Sequence, residues 1–459
     1  MPPPPLVIIC AVGLTPGHVA SGLVPRLGAL AAEGFAAPMT GAVPAVTTTA
    51  QATMLTGCWP DQHGIVANGW FFRDLNEVWL WRQSQALVEA PPAWAGLTVD
   101  GRPLRVLKHF WWYAMNTGTA ATVTPRPVYH ADGRKSPDCY AWPPDLKALL
   151  EARHGTFPLF HFWGPTAGAR SSRWIAESFV SAWDHVGPDL ALCYLPHLDY
   201  DLQRFGPEGP HLADNLAVLD ACCATVIDHV RAQGATVLVV SEYGLEPVHA
   251  AVDINRHLRR AGLLEVIVNR AGELIDFGTS PAFAVADHQI AHVYCRDQQA
   301  VDRAAAVLAE LPGVERILAG AARSGLHLDH PRSGELVALA AEGHWFSYDY
   351  WLDDARRPDF ATTIDIHRKP GYDPRELRFD PHGGRRRALW ALIRKGLGLR
   401  YCMNPVSLDP SLVKGSHGRP ASDPSRGPVI ISSQADGQRD TWDQRAIAEL
   451  IRAHWSTPS

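Results

Sequence analysis

Several features that would quickly narrow the class of this chain are missing from it. Only 19% of its 459 residues are charged, and 42 Lys and Arg against 47 Asp and Glu leave a net charge of −5. That balance builds no polyanion-binding surface and no electrostatic anchor, so neither a nucleic-acid polymer nor a membrane is expected as a partner. The eight cysteines, at positions 10, 58, 139, 193, 222, 223, 295 and 402, include no CxxC pair, which removes the common zinc-ribbon and thiol-redox signatures. Cysteines so scattered in a chain this long read as reduced and mostly buried. No apolar run approaches the ~20 residues of a membrane-spanning helix. The N-terminus, MPPPPLVIICAVGL, has neither the basic segment nor the small-residue cleavage site of a signal peptide, and the cytoplasm is the expected location. No tandem repeat is present, and nothing in the composition sets the oligomeric state.

What is present is an apolar content of 46%, ample for a large core. Residues 6–12 form a short apolar run ending at Gly13, the signature of a buried strand. Residues 22–34 carry helical spacing and stop at a glycine. Further strands are expected at 190–195, 235–240 and 314–318, with helices at 213–233 and 304–311. Such alternation predicts an α/β fold with a mainly parallel central sheet sandwiched between helices. Ligands of such sheets sit beyond the carboxyl ends of the strands, so the chemistry is sought at 10–14, 197–207 and 241–245. Tryptophans and short polar turns cluster across 76–185, which reads as an inserted or cap region. The main domain is then 1–430, with 431–459 a C-terminal tail carrying a short helix.

The most informative stretch runs from Pro44 through Thr47-Thr-Thr-Ala-Gln-Ala-Thr-Met-Leu-Thr-Gly57 to Asn68. A hydroxyl residue opening a helix has backbone N–H groups and the positive end of the helix dipole beside it, which suits a bound phosphoryl group. A threonine there is a candidate nucleophile; equally, Thr47–Thr49 can serve only as helix caps. Two further segments follow strands: Tyr194-Leu-Pro-His-Leu-Asp-Tyr-Asp-Leu-Gln203 and Val239-Val-Ser-Glu-Tyr-Gly244. Asp199 and Gln203, four apart, share one helical face.

Thr47 through Asn68 resembles the nucleophile segment of the alkaline phosphatase superfamily, in its type I phosphodiesterase/nucleotide pyrophosphatase branch. The threonine six residues before the Thr53–Gly57 turn, then Pro60, His63-Gly-Ile65 and Asn68, fall on that pattern. The resemblance implies Thr47 as nucleophile, Asn68 as a substrate-binding side chain and His63 as a structural turn residue. It also implies metal ligands at Asp199, Gln203, Glu242, Tyr243 and His417. Three of these depart from the branch: Gln203 stands where histidine is usual, and Glu242-Tyr243 replaces an aspartate-histidine pair. Cys10 occupies the position of an aspartate at the end of the first strand. Replacement ligands are sought at Cys10 and in the cluster Asp287, His288 and His292, and a phosphate grip at Arg368 and Lys369. Trp70, Phe71, Trp111 and Trp112 can stack on a leaving group or fill a core.

The resemblance thus implies one or two divalent metal ions, zinc first and manganese, iron or magnesium as alternatives. It implies a hydrolase that cleaves a small-molecule phosphate ester (a phosphodiester, pyrophosphate, monoester or phosphonate) through a threonine. The altered ligands keep two alternatives open: a member that binds a phosphorylated ligand without hydrolysis, and a phosphotransferase.

Overall fold

The computed structural model describes residues 3–439 and 441–456. They divide into two compact units. The first takes in the residues up to Gly64, Gln83–Leu245 and those from Pro420 onward, and the second takes in Ile65–Arg82 and Glu246–Arg419.

The strands of the two main sheets, in chain order, are β1 (Leu6–Ala11), β2 (Phe35–Thr40), β3 (Val106–His109), β4 (Ala121–Pro125), β5 (Cys139–Trp142), β6 (Leu190–Leu195), β7 (Thr236–Val240), β8 (Ala282–Asp287), β9 (Ile290–Cys295), β10 (Val314–Ala319), β11 (Leu336–Ala340), β12 (Val429–Ser432) and β13 (Trp442–Asp443). The helices used below are α1 (Pro25–Glu33), α2 (Thr47–Thr56), α3 (Ala169–Val186), α4 (His197–Phe205), α5 (Leu212–Arg231), α6 (Gln298–Ala309), α7 (Gly384–Gly396) and α8 (Ala446–Ser456).

In the first unit the sheet order is β5-β4-β3-β6-β1-β7-β12-β2-β13. The neighbours β3, β6, β1 and β7 run parallel, while β12 is antiparallel to both β7 and β2. This is the large, mostly parallel sheet flanked by helices that the alternating pattern predicts. Its centre shows why a near-continuous apolar run was needed: every residue of β1, β6 and β7 is buried, as a strand covered on both faces must be. Each fully buried Leu, Ile or Val there contributes roughly 1.5–3 kcal/mol. Because β1, β6 and β7 are parallel, their carboxyl ends share one edge, where Cys10 pairs with Tyr194 and with Val240.

The Trp-rich stretch 76–185 supplies β3, β4 and β5 to one flank of this sheet and α3 against β6. Its Trp111 and Trp112 are buried, and Trp70 and Phe71 are likewise buried within the second unit, so all four fill cores. Within 431–459, β13 pairs with β2 and α8 packs on α2. All eight cysteines are free thiols, six of them buried. The second unit is built on an antiparallel sheet ordered β8-β9-β11-β10. Beneath it lies a buried ionic network, in which Arg375 pairs with Asp349 and Asp373, and Lys369 with Asp373 and Glu376.

One buried charge in the first unit carries a readable signature. Lys108 on β3 is buried, its Nζ donating to the Tyr113 carbonyl at 2.7 Å and to Gln85 Oε1 at 3.1 Å. Burial lowers its pKa to about 7, so between there and the ordinary lysine value the unfolded chain binds the extra proton. Stability therefore rises with pH across that window, by up to about 1.4 kcal/mol per pH unit. Replacing Lys108 with Met is expected to flatten that rise between about pH 7 and 10, as measured by urea denaturation over the pH series.

Candidate active site

Helix α2 begins at Thr47 itself. Its cap residue is Val46, which has an extended backbone and makes no side-chain cap bond, so the threonines do not cap the helix. All ten residues of the helix are buried, and it stops at Gly57, whose φ of 72° is the left-handed conformation glycine adopts without strain. Thr53, one turn and a half along, holds its hydroxyl 3.0 Å from His63 Nε2, which fixes the turn after the helix and gives His63 its structural role.

The Thr47 hydroxyl lies 3.1 Å from the Tyr243 hydroxyl and beside the Glu242 carboxyl. Glu242 and Tyr243 leave the end of β7. Gln51, four residues after Thr47 and therefore on the same helical face, donates from Nε2 to Glu242 Oε1 at 2.5 Å and accepts from the Trp112 backbone N–H at 2.7 Å. Gln444, fully buried near β13, donates to the Glu242 carbonyl at 2.7 Å and accepts from the Ala42 N–H at 2.8 Å. It ties the loop before Thr47 to the loop after β7. Asp199, in the first turn of α4 just beyond β6, receives the Gln203 amide N–H at 2.6 Å.

The electrostatics follow from burial. Desolvation, opposed by the Gln203 hydrogen bond, raises the Asp199 pKa to about 7. Desolvation first, and the Asp199 charge with it, raises Glu242 to about 8. Burial pushes the Tyr243 phenol and the Cys10 thiol well up, helped at Tyr243 by Asp199 and Glu242 and at Cys10 by Glu242. Cys10 sits beside Glu242, and in that buried setting its thiol holds its proton more tightly than a free cysteine does. Glu242 Oε2 is buried with no hydrogen-bond partner among the described residues.

The other candidates belong to the second unit. Asn68 spends its side chain and its backbone N–H on Asp287, at 3.1 and 2.8 Å. His288 Nδ1 takes the remaining reach of that carboxylate at 2.7 Å. The His288 ring is held between the rings of Tyr372 and His417, each with its centroid 3.7 Å away. His292 has both ring nitrogens engaged by backbone: its Nε2 bonds the Val66 carbonyl and its Nδ1 accepts the Gly334 N–H. Lys369 and Arg368 do not form a phosphate grip. Lys369 is buried between Asp373 and Glu376, and Arg368 pairs with Asp365 and Asp359.

The structure thus brings Thr47, Asp199, Gln203, Glu242, Tyr243 and Cys10 together in the first unit, and Asn68, Asp287, His288, His292 and His417 into the second. Gln51 and Gln444 were not anticipated from the sequence. Gln51 had a signal, its i+4 spacing from Thr47; Gln444 had none, lying 202 residues from Glu242.

Whether this set suits a divalent ion is decided by its donors. Among the described residues no three His, Cys, Asp or Glu side chains gather as a metal cage. The first unit instead offers two buried carboxylates, one with an orphaned oxygen, and the Thr47 and Tyr243 hydroxyls. An all-oxygen set of this kind fits one hard cation such as Mg²⁺ or Mn²⁺ better than a zinc cage of imidazole and thiolate.

Comparison with known proteins covers most of the chain. A phosphonoacetate hydrolase from Sinorhizobium meliloti 1021, solved with phosphonoformate, is 15% identical and aligns with a TM-score of 0.60 over 99% of this chain and 96% of that one. A murine ectonucleotide pyrophosphatase / phosphodiesterase, 12% identical, aligns with a TM-score of 0.59 over 99% and 95%. These likenesses establish a shared fold. An uncharacterized pyrophosphatase/phosphodiesterase of Schizosaccharomyces pombe is 22% identical over 249 residues, 53% of this chain, and the chain spans 45% of that relative's length. The model of one family of phosphoric ester hydrolases matches residues 6–373, from β1 to Asp373 and including Thr47, Asp199 and Glu242. On that match, the chain belongs to the type I phosphodiesterase / nucleotide pyrophosphatase family.

Proposed function

We propose that this chain hydrolyses a small-molecule phosphate ester with Thr47 as its nucleophile. The observation that carries the reading is the placement of Thr47: the first residue of an uncapped, buried helix, its hydroxyl 3.1 Å from that of Tyr243 and beside Glu242. The helix N-terminus presents backbone N–H groups where the phosphoryl oxygens of a substrate would lie. Tyr243 orients the Thr47 hydroxyl, and Gln51 fixes the Glu242 carboxyl against it. Thr47 Oγ1 attacks phosphorus and gives up its proton to water, the bond to the leaving oxygen breaks, and the departing alkoxide takes a proton from solvent. Water then cleaves the phosphothreonine and frees the phosphate. Phosphoryl transfer asks the protein chiefly for position and positive charge.

Asp199 and Glu242 are the residues that would hold a divalent ion. Bound there, such an ion supplies the positive charge that lets both carboxylates ionise and makes the threonine hydroxyl more acidic. Two findings about relatives support the substrate class. The bacterial neighbour was solved with phosphonoacetate as well as phosphonoformate. The murine neighbour was solved as an inactive threonine-to-alanine variant with AMP. The shared feature is a phosphoryl or phosphonyl group on a small molecule.

On bis(p-nitrophenyl) phosphate, Thr47→Ala is expected to lower the rate by about 10³-fold or more, while Thr47→Ser keeps a measurable part of it. Both should unfold at the wild-type temperature; undiminished turnover by the alanine variant would refute the role of Thr47. Chelation should abolish turnover, with Mn²⁺ or Mg²⁺ restoring it better than Zn²⁺, and Glu242→Gln should raise the metal concentration needed for half-maximal rate by about tenfold or more. Metal-independent turnover, or a Glu242→Gln enzyme with unchanged metal demand, would refute the ligand assignment.

A further inference from the structure

The second unit carries a helix built the wrong way round for a globular surface. Helix α7 reads Gly384-Arg-Arg-Arg-Ala-Leu-Trp-Ala-Leu-Ile-Arg-Lys-Gly396, and its buried residues are only Gly384 and Ala391. Its large apolar side chains are in solvent: Leu389 is 60% exposed, Trp390 59%, Leu392 53% and Ile393 44%. Leu397, just past the helix, is 68% exposed and Leu399 50%. At about 100° per residue, Leu392, Leu389, Ile393 and Trp390 fall within one arc of roughly 160°, centred opposite Ala391. The helix is therefore seated by its small residues and shows its apolar face outward. A contiguous exposed patch of this kind marks an interaction site.

Charge identifies what the patch meets. Residues 381–408 contain six cations, Arg385, Arg386, Arg387, Arg394, Lys395 and Arg400, and no Asp or Glu. Among the described residues, only Arg387 of these is neutralised by a neighbouring carboxylate, Asp380. Arg385, Arg386 and Arg400 are exposed, and Arg394 and Lys395 lie half-buried at the margins of the apolar arc. The overall charge of −5 conceals this local excess. Two copies of such a face would set like charges against each other, which disfavours self-association. A Trp and several Leu side chains ringed by Arg and Lys match the interface of an anionic bilayer, where the ring sits at headgroup depth and the cations meet acidic lipids. Among the described residues no helix is long and apolar enough to cross a membrane, and α7 spans only about 20 Å, so the contact is peripheral.

We propose that α7 and the following loop to Arg400 dock this protein on an anionic membrane surface, contrary to what the net charge alone suggests. The full-length chain is to be sedimented with vesicles of phosphatidylcholine alone and of phosphatidylcholine mixed with phosphatidylglycerol. Binding is expected to the anionic vesicles, to weaken as salt is raised, and to fall about tenfold or more in Arg386→Glu/Arg400→Glu and in Leu389→Glu/Trp390→Glu. The variants alter exposed side chains only, so their melting temperatures should match the wild type. No binding to anionic vesicles, or binding that the variants leave intact, would overturn the proposal. So would a concentration-dependent dimer of the free protein that Leu389→Glu/Trp390→Glu dissolves without any vesicle binding, since the patch would then be covered by a second copy.

Discussion

Two carboxylates taken out of water at one edge of a sheet, Asp199 and Glu242, set the terms for the rest of the first unit. Each is buried, the Asp199 charge adds to the cost of ionising Glu242, and the ordinary response to that cost is a proton or a cation. The surrounding structure holds them in place for one or the other. Parallel β6 and β7 deliver them to the same edge, and Gln203 and Gln51 each turn an amide N–H toward one carboxylate. Gln444 fastens the loop beneath Glu242 to the one that leads into Thr47. Thr47 gains its position from the same constraint, because the face of α2 that carries Gln51 to Glu242 also carries the hydroxyl to Tyr243.

The departures from the branch pattern make physical sense in this light. Where an imidazole would have been a ligand, Gln203 is a hydrogen-bond donor to Asp199. Where a carboxylate would have ended β1, Cys10 places a buried thiol beside Glu242. The negative charge of the site is lower than the usual set would give, and its donors are almost all oxygen. The divalent ion proposed for such a set is accordingly a hard one.

Much of the fold could be read from the chain because it rests on local signals. The strand at 190–195 was placed to the residue, and 6–12 and 235–240 to within one, because a strand buried on both faces is an apolar run with sharp ends. The Thr47 segment stood out through its resemblance to the branch's nucleophile pattern, since the residues alone read equally well as helix caps. What could not be read was tertiary. Both nitrogens of His292 go to backbone that folds in from elsewhere, and Lys369 is claimed by acids whose burial no spacing reveals. The stretch 76–185 contributes three short strands to one flank of the main sheet, which its clustered tryptophans and polar turns do not reveal. Net charge is silent about α7, because a sum over 459 residues cannot show six cations gathered in 28.

The most direct test of the account is to catch the bond it requires. Acid quenching of the enzyme during turnover of an aryl phosphodiester, followed by peptide mass spectrometry, should find the phosphoryl adduct on Thr47 and on no other side chain. Full turnover with the Thr47 peptide unmodified at every quench time, or an adduct on a different residue, would contradict it.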